Sequence, residues 1–144
     1  MKIKYKRGNL LEAEEMHLVH GVNCQGVMGS GVARAIRDWY PQAYVDYRSA
    51  YQDGKVLLGN IVSSAQDDGR IIHNAITQEF YGRDAKTYVS YWAIAEVFSK
   101  LESYNLGRIA LPKIGAGLGG GDWSVIEAII ENTLVRTEAI VYEL

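Results

Sequence analysis

The chain has 144 residues, 48% of them hydrophobic and 22% charged, with 17 acidic against 15 basic side chains and a net charge of -2. That length builds one domain, residues 1–144, with a substantial core, and the slight acidic excess excludes a general nucleic-acid binder, which would present a basic face. No run approaches about twenty apolar residues and the start lacks a signal-peptide pattern, so no membrane span is expected. A single cysteine, Cys24, permits no internal disulfide and points to a cytoplasmic protein.

Ile3 and Tyr5 alternate with Lys2, Lys4 and Lys6, the period of a strand with one solvated face, and Arg7-Gly8-Asn9 ends it. Residues 10–15 read as a short turn. Residues 17–22 are apolar enough for a central strand, and Asn23-Cys24-Gln25 leads into a glycine loop, Gly26-Val27-Met28-Gly29-Ser30-Gly31. Val32, Ala35, Ile36 and Trp39 recur at helical spacing as far as Tyr40-Pro41, and residues 42–51 form a second helix stopped at Asp53-Gly54. Residues 57–64 and 70–76 are strands paired antiparallel through the turn that contains Asp68-Gly69.

Residues 78–86 make the longest loop, with Gln78 and Tyr81 read as surface. Residues 87–104 carry the longest helical pattern, closed by Asn105-Leu106-Gly107. An apolar strand at 109–112 then enters Gly115-Ala116-Gly117-Leu118-Gly119-Gly120-Gly121, and Asp122-Trp123 opens a last helix before a final strand at 139–142. Strands alternate with helices nearly throughout, so the class is α/β with helices on both faces of a mixed sheet.

Two strand-to-helix glycine loops in one small domain are expected to face each other across a cleft. Glycine lets the backbone turn through positive φ and converge its N–H groups, and a helix amino terminus adds partial positive charge, so the pair suits a diphosphate. Gly115, Gly117 and Gly120 match a dinucleotide fingerprint, but too few βαβ units follow for that fold. Neither loop has the Gly-Lys-Ser/Thr of a nucleotide-hydrolysing phosphate loop. His17 and His20, three apart on a strand, point to opposite faces, so no metal site is expected.

Gly8-Asn9-Leu10-Leu11, then Val22-Asn23-Cys24-Gln25-Gly26 with Met28-Gly29-Ser30-Gly31-Val32-Ala33, and Leu111-Pro112-Lys113 through Asp122-Trp123 resemble the three signature blocks of the macrodomain family. The resemblance covers nearly the whole chain, and Val141-Tyr142-Glu143-Leu144 is similar to the end of the ADP-ribose 1''-phosphate phosphatase branch. It implies a three-layer α/β/α sandwich with a mixed, mostly parallel central sheet, and ADP-ribose in a cleft at the carboxyl ends of the strands. By position it implies Gly8 and Asn9 beside the adenine, where most members have Asp in place of Asn9, and Asn23 beside the distal ribose. Gly29, Ser30, Gly31, Val32 and Ala33 would line one side of the diphosphate, and Ile114, Gly115, Ala116, Gly117 and Leu118 the other.

The implied activity is hydrolysis of ADP-ribose 1''-phosphate by a monomer without cofactor or metal. The alternatives are a non-catalytic ADP-ribose reader, or a hydrolase of ADP-ribosyl or O-acetyl-ADP-ribose substrates. One branch uses a lysine and an aspartate where this chain has Gln78 and Gly119, which counts against covalent lysine chemistry. His20 matches a histidine proposed as catalytic in the phosphatase branch and is assigned to proton transfer, with Asp122 orienting water. The competing readings are a hydrogen-bonded core histidine and a helix N-cap; Ser124–Glu127 also fits a capping box, which would leave the Asp122 carboxylate free.

Overall fold

The computed structural model describes residues 2–82 and 87–144, so residues 83–86 of the expected 78–86 loop lie outside the described residues. Among the described residues six strands form one sheet in the order β1-β6-β5-β2-β4-β3. The strands are β1 (Ile3–Arg7), β2 (His17–Asn23), β3 (Ile61–Ala65), β4 (Ile71–Gln78), β5 (Arg108–Leu111) and β6 (Glu138–Glu143). All neighbours run parallel except β3, which pairs antiparallel with β4. The turn between them closes at Gly69, whose φ of +91° needs no side chain in the way.

Among the described residues four α-helices flank the sheet: α1 (Gly31–Trp39), α2 (Pro41–Gln52), α3 (Tyr91–Ser103) and α4 (Trp123–Thr133). Alternation along β2 sorts its side chains between two cores. Leu18 and Val22 join Ile36 of α1 and Tyr47 of α2, while Val19 joins Phe98 of α3 and Ile126 of α4. The three-layer α/β/α sandwich follows. Each of these large side chains contributes about 1.5–3 kcal/mol by leaving water.

Two boundaries differ from the periodicity. The helix expected from residue 87 begins at Tyr91, because Ser90 caps it by accepting from the Ala93 N–H. The N–H groups of Tyr88 and Val89 donate instead to the Gly119 carbonyl, at 2.7 and 3.0 Å. The strand expected from residue 57 begins at Ile61. Before it the chain turns at Gly59, where a Cβ would lie 3.3 Å from the Trp92 ring. No described helix is long and apolar enough to cross a membrane.

Candidate functional site

Parallel strands deliver their carboxyl ends to one edge of the sheet, and the loops that leave β2 and β5 stand there opposite each other. Between them lies a cleft of about 620 Å³ lined by Asn23, Gly29, Ser30, Gly31, Val32 and Ala33 on one side and by Ile114, Gly115, Gly117, Leu118 and Gly119 on the other. An adjoining pocket of about 340 Å³ shares Gly31, Val32 and Pro112 with it and is otherwise lined by Gly8, Asn9, Leu10, Leu11, Ala35, Tyr142 and Leu144. The result is one groove, polar backbone in its middle and apolar at one end.

The first jaw is set by Asn23. Its Oδ1 accepts from the N–H groups of Gln25 (2.9 Å) and Val27 (3.4 Å), and its Nδ2 donates to the Val27 carbonyl (2.9 Å), folding the loop around the side chain. Ser30 stands at the N-cap of α1 but makes no side-chain cap bond. The first-turn N–H groups of Gly31, Val32 and Ala33, residues that line the cleft, have no acceptor among the described residues, an arrangement that suits an anion.

The second jaw is tied to itself. Gly121 N–H donates to the Gly115 carbonyl and Gly120 N–H to that of Gly117, with Gly115 and Gly120 at φ of +79° and +71°. The N–H groups of Gly115, Gly117, Leu118 and Gly119 have no acceptor among the described residues. A Cβ at Gly119 would meet the Gly115 carbonyl oxygen at 2.7 Å, so this turn has no room for a side chain without moving. Ala116 is the one expected ligand residue of this loop that does not line the cleft; it packs against the core beside α3 and α4. Leu118 reaches across until its Cδ1 lies 3.3 Å from where a Gly31 Cβ would stand.

The two expected catalytic residues, His20 and Asp122, both lie outside the cleft lining. His20 is 1% exposed on the α1/α2 side of β2, outside the cleft lining, with Nε2 donating to Asn74 Oδ1 at 2.6 Å. Asn74 is fixed in turn by donating to the carbonyls of Ala43 and Val62. Burial lowers the His20 pKa to about 4, against a smaller opposing effect of Asn74, so the ring is a neutral core group. Asp122, not Ser124, is the N-cap of α4: its Oδ1 accepts from the Ser124 N–H (2.9 Å) and hydroxyl (2.7 Å), which commits that oxygen to the helix end. The positive end of α4 is thereby satisfied from within, whereas α1, whose first residues line the cleft, has no side-chain cap.

His17 and His20 do face apart. His17 stacks on His73, with Nδ1 3.0 Å from its Nε2, on the other side of the sheet. No metal-binding cluster occurs among the described residues. The ionisable side chains among the described cleft-lining residues are Tyr81 and Lys113, and the Lys113 ammonium pairs with Glu143 at 2.7 Å. Backbone N–H groups thus carry the positive potential of the groove.

Tyr81 and Gln78, read as surface in the sequence, line the cleft. Gln78 Nε2 donates to the Phe80 carbonyl at 2.7 Å, and the Tyr81 N–H donates to Gln25 Oε1 at 3.0 Å, fastening this segment to the first jaw. Thr77 and Tyr142 also line the groove without having been singled out. Their positions at the carboxyl ends of β4 and β6 were the available signal. The Thr77 hydroxyl is buried and has no partner among the described residues.

A model of the Macro domain matches residues 19–130. The chain is 32% identical to a DNA ADP-ribosyl glycohydrolase of Thermus aquaticus over 98% of its own length and 41% of that protein's, so it spans about two fifths of that relative. It is 26% identical to an ADP-ribose 1''-phosphate phosphatase of Saccharomyces cerevisiae, covering 99% of this chain and 98% of the other. Among solved structures, the macrodomain of Thermus aquaticus DarG superposes with a TM-score of 0.84 at 32% identity, covering 99% of this chain and 98% of that one.

Proposed function

Because the chain belongs to the macro domain family, whose members bind ADP-ribose, we propose that its groove holds the ADP-ribosyl group and that its primary role is recognition. The observation that carries this reading is the pair of opposed N–H clusters, at Gly31–Ala33 and at Gly115–Gly119, meeting over a cleft that runs into an apolar pocket. A diphosphate between the jaws accepts from both without any cationic side chain. The adenine then enters the apolar pocket over Tyr142, and the distal ribose lies toward Asn23, Thr77 and Gln78. The Asn9 oxygen already accepts from the Leu11 N–H at 3.0 Å, so Asn9 offers the base a donor.

Recognition ranks above turnover because the described cleft lining holds no imidazole or carboxylate for proton transfer. Gln78 and Gly119 likewise supply no nucleophile for glycohydrolase chemistry through lysine. Hydrolysis of ADP-ribose 1''-phosphate is the second reading, favoured by the similarity to the yeast phosphatase along the full chain. In it the unpaired N–H groups of the second jaw stabilise the charge on the departing phosphate. A free thiol at Cys24 agrees with a reducing, cytoplasmic setting.

Titration calorimetry with ADP-ribose tests the binding. Incubation with ADP-ribose 1''-phosphate, O-acetyl-ADP-ribose and ADP-ribosylated DNA, followed by product analysis, tests turnover. Absence of heat with ADP-ribose refutes the reading, and release of phosphate raises the second reading above the first.

A further inference from the structure

The first jaw is held from outside the signature blocks. Tyr47 of α2 is fully buried, and its hydroxyl reaches the root of the glycine loop. It lies 2.5 Å from the Asn23 carbonyl and 2.9 Å from Asn23 Oδ1, and it accepts from the Gly26 N–H at 3.1 Å. The next residue, Arg48, donates from Nη1 to the Gly26 carbonyl at 3.1 Å. Gly26 itself has φ of +75°, and a Cβ there would meet Arg48 and Tyr51 at 2.5 and 2.8 Å, so α2 grips this turn directly.

These bonds hold the loop whose own N–H and carbonyl groups set which way the Asn23 amide faces. Its oxygen is consumed by the N–H groups of Gln25 and Val27 and lies within reach of the Tyr47 hydroxyl, so it must be the acceptor. One Nδ2 hydrogen goes to the Val27 carbonyl, and the other has no partner among the described residues on a side chain that lines the cleft. We propose that Tyr47 is a positioning residue, which orients the Asn23 amide so that it presents a donor, and never its oxygen, to an acceptor oxygen of the bound ligand. This rests on the ADP-ribose reading for the identity of the ligand, but not for the hydrogen-bond arrangement itself.

Tyr47→Phe keeps the buried ring and removes the hydroxyl. It is expected to weaken ADP-ribose binding about fivefold, the scale of one net hydrogen bond, with the far-ultraviolet spectrum unchanged. In an Asn23→Ala background the same substitution is expected to change affinity less than about twofold, because the two residues act as one unit. A merely structural tyrosine would lower affinity by the same factor in both backgrounds, and that result overturns the proposal. Independently of any ligand, amide exchange at Gly26 and the Asn23 side-chain NH₂ resonances are expected to change in Tyr47→Phe. If both stay as in the wild type, the proposal fails even when ADP-ribose binds; if they change while the wild type shows no heat with ADP-ribose, the binding reading fails and the positioning role stands.

Discussion

Gly31 is the residue at which the two jaws and the α1 terminus meet, so Gly31→Ala probes the groove most directly. The glycine has φ of +60°, a region that costs an L-residue about 1–2 kcal/mol. For a chain of this length that corresponds to a fall of roughly 3–8 °C in the thermal midpoint. Relief of the strain rotates φ toward negative values and turns the first-turn N–H groups away from the cleft. Losing one charge-assisted bond to a phosphate costs about 1.5–3 kcal/mol, a weakening of roughly 10–100-fold by calorimetry. The new methyl also approaches Leu118 at 3.3 Å, but the far end of that side chain can yield. The double variant Gly31→Ala/Leu118→Ala is therefore expected to keep both deficits. Wild-type affinity in Gly31→Ala, or recovery of the melting temperature in the double variant, would refute the reasoning.

Glu102, on the last turn of α3, accepts from the N–H groups of Val135, Arg136 and Thr137, and Thr137 is buried. Glu102→Ala leaves that buried donor unpaired and is expected to cost about 2 kcal/mol in urea denaturation. Burial acts to raise the Glu102 carboxyl, but the N–H groups of Val135, Thr137 and Arg136 outweigh it and hold the pKa at about 2. This contribution is complete above the unfolded value near about 4.3 and is lost as pH falls toward 2, so Glu102→Gln is expected to flatten the acid limb of stability in that window. His20 and His73 work at higher pH. Burial lowers both to about 4, with the charge of His17 adding to the effect at His73, whereas an unfolded histidine titrates near about 6.5. The unfolded chain binds more protons between those values, so denaturation midpoints should decline from pH 6.5 to pH 4 and be level from 6.5 to 8; a level profile down to pH 4 would contradict the burial of both rings. Asp122→Ala removes the α4 cap and is expected to lower the thermal midpoint while ADP-ribose affinity stays at the wild-type value, and a selective loss of binding would restore Asp122 to the site.

Much of this fold was legible because the chain's hydrophobic periods are clean. The apolar run of β2, the Asp68-Gly69 turn and the spacing of Val97 and Leu101 each announce one element, and each forms where its period says. Boundaries escaped where a residue is claimed by a distant partner: Val89 fits the helical spacing, yet its N–H belongs to the Gly119 carbonyl. The surroundings of the two expected catalytic residues escaped the sequence for a different reason. Strand alternation tells which side His20 faces but not that Asn74 and α2 close over it, and Asp122 and Ser124 each offer a valid cap, a choice that local sequence leaves open. Tyr47 carries no motif, and Tyr142 stands in a closing stretch whose likeness does not say that its ring lines a pocket. Their importance comes from where α2 and β6 are laid against the loops, which only the assembled sheet reveals.

The place of β6 in the sheet has a bearing on how the molecule comes into being. Ile3 is in register with Ala139, and among the described residues β1 has no other neighbour in the sheet, so within this domain β1 has nothing to dock on until β6 has emerged from the ribosome. Such a long-range pairing is slow to close. A nascent chain that has already built both glycine turns still lacks Tyr142, and with it the floor of the apolar pocket. The apolar end of the groove is accordingly the part of this domain assembled last, and a domain cut short before β6 would lose β1 from the sheet as well as β6.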